Sequence, residues 1–107
     1  MATAGNVTTG YTVAIYNIED RIPGKDGKEK FKKLKPNSTF PPFPKGGKDV
    51  VLVTSGRVPH WRHALAMLNA IDSDSFGAVA VLDPIIEGAV VVESIINGLN
   101  IGDVIPV

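Results

Sequence analysis

Cysteine is absent from this chain, which excludes disulfides, thiolate nucleophiles and cysteine-based zinc sites and gives no sign of an oxidising compartment. Histidine is scarce at two residues, tryptophan occurs once, and aromatic residues make up 7% of the sequence. Imidazole chemistry is therefore confined to His60 and His63. No apolar run is long enough for a membrane-spanning helix, and the amino-terminal stretch MATAGNVTTG has neither the basic nor the apolar region of a secretory leader. A cytoplasmic protein is expected. Net charge of one sign is missing too, since eleven basic residues balance eleven acidic ones.

That balance hides a separation along the chain. Residues 21–48 hold nine of the eleven basic residues and, of the acidic ones, only Asp26 and Glu29, leaving +7 there and −7 elsewhere. Such a split makes a directional field, able to steer a polyanion or a second copy of the chain. A solvated lysine-rich loop would carry the same charges, and both readings stand. With 107 residues, 44% hydrophobic and 21% charged, the chain reads as one domain of ordinary globular composition, residues 1–107, small enough to gain from dimerisation.

Strand-like patterning opens with TTGYTVAIYNI, from Thr8 to Ile18. A basic Pro/Gly/Lys-rich connection fills 19–49, dense enough in breakers to allow at most one short helix near Lys28 to Leu34. Val50 to Thr54 is a continuous apolar run, the expected central strand, covered on both faces. Pro59 then presets a first helical turn, and the spacing predicts a helix to Ile71 packing Trp61, Ala64, Leu65 and Leu68 on the sheet. Ala78 to Leu82 and Ala89 to Glu93 follow, too closely linked for a parallel crossover, so a hairpin is expected. Val104 to Val107 forms a last short strand. The fold class is α/β: a small Rossmann-like mixed sheet with one main helix and a C-terminal antiparallel hairpin.

Two parallel strands joined by a helix place their following loops at one sheet edge, where open α/β sheets bind ligands. Ser55, Gly56 and Arg57 fall there with Pro59, His60, Trp61 and His63, and Asp83 opens the other loop. Gly lets a backbone approach an anion, Arg offers a fork matched to phosphate, and the helix N-terminus favours negative charge. A tight strand-to-helix turn explains the Gly equally well. The histidines are three apart, neighbours on a helix, and serve as an acid/base pair, as two metal ligands needing Asp83 or another subunit, or as surface residues. Trp61 is a core residue or a stacking platform, and Asp83 a site carboxylate or the opening of an Asp-Pro turn.

Taken in order, VVLVTSGRVPHWRHAL, VAVLDPIIEGAVVVES and IGDVI resemble the third class of CRISPR ring nucleases, small proteins found with type III CRISPR systems. The resemblance spans Val50 to Ile105; Met1 to Lys48 match only as a strand and a variable connection. It implies a distant relation to Rossmann-like sensor domains for cyclic oligoadenylates and a manganese-dependent cleavage of cyclic tetra-adenylate that switches off antiviral signalling. It also implies a homodimer, or a tetramer on ligand, enclosing the ring, and an activity on RNA. By position, Ser55, Gly56 and Arg57 would hold the ring phosphates beside Pro59 and Trp61. His63 would stand at the start of the site helix, with His60 as a further proton-transfer group, and Asp83 would be a catalytic or manganese-linked carboxylate.

The chain also departs from that family pattern. Asp72 to Phe76 stand where the pattern has a histidine, Ile85-Ile86 where it has an arginine, Glu87 is an insertion, and Ile95 replaces a second histidine. A non-catalytic or weakly catalytic module binding cyclic oligoadenylate or RNA is the alternative expectation. A third is an interaction domain that pairs through its last strand.

Overall fold

The computed structural model describes residues 10–19, 21–23, 29–31 and 39–107. Its five-stranded sheet has the order β1-β4-β5-β6-β7, and β2 pairs with β3 in a separate two-stranded sheet. The strands are β1 (Thr12–Asn17), β2 (Arg21–Pro23), β3 (Glu29–Phe31), β4 (Gly47–Ser55), β5 (Phe76–Asp83), β6 (Gly88–Ser94) and β7 (Val104–Ile105), with α1 (His60–Ser73) between β4 and β5. β1, β4 and β5 run parallel, while β6 is antiparallel to β5 and β7 to β6. The architecture is mixed α/β, one helix on a mixed sheet.

Alternation along β4 builds two cores. Val51 and Val53 face one side with Ala78, Ala80, Ala89, Val91, Leu99 and Ile105. Leu52 faces the other, with Tyr16, Ile18, Phe76, Val79 and the helix residues Ala66 and Ala70. Every residue from Val51 to Ser55 is buried, and each fully buried Val or Leu contributes about 1.5–3 kcal/mol. The sheet centre lies one strand further on, however. β5, not the run Val50 to Thr54, has two strands on either side.

Other expectations need correction. The first strand begins at Thr12; residues 8–9 lie outside those described, as do 20, 24–28 and 32–38 of the basic connection. Glu29–Phe31, within the stretch Lys28 to Leu34 where at most one short helix was expected, are a strand opposite Arg21–Pro23. The last strand stops at Ile105. Most consequential is the helix face. The buried residues of α1 are Arg62, Ala66 and Ala70, while Leu68 is 56% exposed, Ala64 is exposed, and Trp61 and Leu65 are half-buried. Small residues at 66 and 70 let the helix lie close on the sheet, and Arg62 is turned inward by backbone carbonyls.

The helix opens at Pro59, which gives no side-chain cap, and its first turn holds no acidic residue. It ends where Asp74 takes a left-handed φ of 54° and donates its N–H to Ile71 O. Among the described residues, no helix is long and apolar enough to cross a membrane.

Candidate functional site

Register puts Asn17 opposite Ser55, and Thr54 opposite Val81. The turns after β1, β4 and β5 therefore meet at one sheet edge. Between them lies an open groove of about 250 Å³ lined by Glu19, Gly56, Arg57, Leu82 and Pro84.

Gly56 is fixed by backbone geometry. Its φ is +124°, and a Cβ there would stand 2.6 Å from Glu19 Cγ and 3.1 Å from Asn17 Oδ1. The missing side chain makes room for the turn after β1, which itself is held by Ile18 N–H to Ser55 O at 3.0 Å and Glu19 N–H to Asn17 Oδ1 at 2.9 Å. Ser55 is buried and Arg57 exposed. The Arg57 N–H donates to Glu19 Oε1 at 2.6 Å, so the backbone donor suited to an anion already holds a carboxylate.

The two histidines do different things. His63 Nε2 lies 3.2 Å from Gly56 O, a carbonyl that can only accept, so Nε2 carries the proton and Nδ1 accepts from Thr54 Oγ1 at 3.0 Å. Both ring nitrogens are thereby used as a strut from helix to loop. Burial pushes the His63 pKa below its ordinary value, against a smaller upward pull from the Gly56 carbonyl. His60 is exposed at the first helical position, Pro59 is exposed and Trp61 half-buried.

A pH dependence follows from the strut. The unfolded chain takes up a proton on His63 more readily than the folded one, so stability is full at neutral pH and falls as pH drops from about 6.5 toward the lowered folded value. Urea titrations between pH 7.5 and 5 should show this slope in the parent, and His63→Gln should flatten it. Equal slopes would mean that His63 is not buried in its neutral form.

Asp83 serves the turn. Its Oδ1 accepts from Ile85 N–H at 2.9 Å and from Ile86 N–H at 3.4 Å, and its carbonyl accepts from Glu87 N–H at 2.9 Å. Leu82 and Pro84, on either side of it, are the groove-lining residues of that loop. Among the described residues, no group of three or more His, Cys, Asp or Glu side chains could hold a metal ion. With both His63 nitrogens engaged, the described donors of one chain do not fit manganese, which would need ligands from beyond them.

Sequence reasoning did not single out Glu19 or Arg62. Arg62 is 1% exposed; its Nε donates to Ile18 O and its Nη2 to Thr39 O, each at 3.1 Å. Its guanidinium carbon stands 4.2 Å from the Phe40 ring centroid, and Nη1 is buried with no hydrogen-bond partner among the described residues. A second cavity of about 250 Å³ is lined by Glu19, Thr39, Phe40, Pro41 and Arg62, so Glu19 borders both spaces. The signal for Glu19 was its place two residues beyond a strand that pairs in parallel with β4.

These features define a small α/β domain with an open groove at the carboxyl ends of its parallel strands. Residues 28–106 match the model of the CRISPR-associated protein family Cas_csx3, and the chain belongs to that family. No curated protein and no solved structure matches it.

Proposed function

We propose that this protein is a ring nuclease of Rossmann-like ancestry that binds cyclic tetra-adenylate between two copies of the chain and opens it, switching off type III CRISPR signalling. The observation that carries the reading is the groove itself, where the exposed Arg57 follows a close-approach glycine at the edge formed by three parallel strand ends. Arg57 is the cation for the phosphate. The ring's symmetry suits an isologous dimer, which presents two copies of one groove.

Cleavage proceeds by attack of a ribose 2′-oxygen on its adjacent phosphorus. The O2′–P bond forms, the P–O5′ bond breaks, the hydroxyl proton passes to a base and O5′ receives a proton. His60, exposed on the first turn of α1, is the candidate for proton transfer. His63 shapes the loop and Asp83 the opposite turn. Manganese belongs in the assay buffer, and no step is assigned to it.

Retention without turnover is the second reading, and the double engagement of His63 favours it. Incubation with labelled cyclic tetra-adenylate and manganese separates the two. Linear products ending in a cyclic phosphate support the nuclease, whereas stoichiometric retention of intact ring supports the binder. Arg57→Ala should weaken binding about tenfold or more under either reading, by loss of a charged hydrogen bond, measured by calorimetry. A parent that neither binds nor cuts the ring excludes both.

A further inference from the structure

The Arg57 N–H is the donor that a phosphate would be expected to use at this turn, yet Glu19 Oε1 accepts from it at 2.6 Å. A second anion at the same N–H would meet like charge at close range. What the groove accepts from a ligand beside Glu19 is therefore a hydrogen-bond donor. An ionised carboxylate offers only acceptor sites, about four in all, so it can serve several donors at once, a ligand hydroxyl among them.

Position supports this division of labour. Glu19 lies just past the end of β1, lines the same groove as the exposed Arg57, and packs so closely under the β4 turn that residue 56 has no room for a side chain. An acidic side chain beyond a parallel strand end is a recurrent holder of ribose hydroxyls. On a ribonucleotide chain the 2′-hydroxyl and the 3′-phosphate sit on neighbouring carbons, matching an acceptor and a cation that share one groove wall.

We propose that Glu19 is the specificity-determining residue of the groove, accepting a ribose 2′-hydroxyl while the Arg57 side chain takes the adjacent phosphate, so that the site selects ribo- over deoxyribonucleotides. The inference rests on the oligoadenylate reading above. Its distinguishing prediction concerns the sugar, because the 2′-hydroxyl is what separates RNA from DNA at a given site.

Calorimetric titration of metal-free protein with cyclic tetra-adenylate and with its all-2′-deoxy analogue tests it. The parent should prefer the ribo ring about tenfold or more, the size of one hydrogen bond to a charged group. Glu19→Ala should bring the ratio close to one. Glu19→Gln keeps an oxygen for the Arg57 N–H and preserves the fold, so it serves where the alanine variant does not fold by circular dichroism; its ratio should fall at least about threefold. Equal affinity of the parent for both rings, or an unchanged ratio in the folded variants, overturns the role of Glu19 and leaves the proposed function standing. Binding of neither ring by the parent overturns that function, and this role with it.

Discussion

Gly77→Ala should cost about 3 kcal/mol or more, the upper end of what overpacking a core produces, and lower the melting temperature by about 10 °C or more for a domain of this size. A Cβ at residue 77 would stand 1.9 Å from Lys48 O and 2.7 Å from Lys48 C, both backbone atoms, and 2.9 Å from Ile96 Cγ1. The isoleucine tip can turn away, but the backbone has no such freedom. β4 and β5 approach here because their register shifts between Gly47 and Val51. Gly77 is also anchored on its other side, where its carbonyl accepts from Ile95 N–H at 2.8 Å. Moving β5 away from Lys48 would strain that bond. Gly10→Ala is the control, since nothing among the described residues lies within 4 Å of a Cβ there, and it should stay within about 0.5 kcal/mol of the parent. Urea and thermal unfolding measure both. A Gly77→Ala protein as stable as the control would show that the two strands part at little cost.

Arg62→Ala should cost about 3–5 kcal/mol, since it opens a cavity beside the Phe40 ring and leaves the carbonyls of Ile18 and Thr39 without their donors. Arg62→Met separates shape from charge. It restores much of the volume and removes a buried cation whose Nη1 has no partner among the described residues, so the loss should shrink to about 1–2 kcal/mol from the two orphaned carbonyls. Equal losses for Ala and Met would show that the guanidinium fork itself, and not packing, holds this corner. Chemical denaturation with far-ultraviolet circular dichroism reads all three proteins.

The contrast between these two positions tells how much of the molecule was legible in advance. The parallel pair with its helix could be read because its signals are local: a continuous apolar run, a proline at a helix start and a second β-branched run. The edge where the groove lies followed from that topology alone, and so did Gly56 and Arg57. Glu19 and Arg62 did not. Glu19 meets Arg57 across 38 positions of sequence, and Arg62 reaches Ile18 across 44. Such contacts depend on β1 lying beside β4, a pairing that no short window specifies. The helix face was misjudged for a related reason. Apolar bulk favoured the stripe through Trp61, Leu65 and Leu68, whereas two alanines and two carbonyls in want of donors selected the stripe through Arg62. Hydrophobic period counts side-chain transfer energies and is blind to backbone acceptors. His63 carried the opposite lesson: its type suggested chemistry, while its partners make it part of the scaffold.

Arg62 is also a clasp. One side chain grips the carbonyl of residue 18, just past the end of β1, and that of residue 39, ahead of β4. That one side chain joins two points of the chain far apart in sequence, and lengthening the loop between two joined points adds only about 0.6 kcal/mol for each doubling of its length. Lengthening or shortening the chain between residues 19 and 39 should therefore cost little in closure entropy, whereas Glu19, which lines the groove, and Thr39, which Arg62 holds, are tied to the fold.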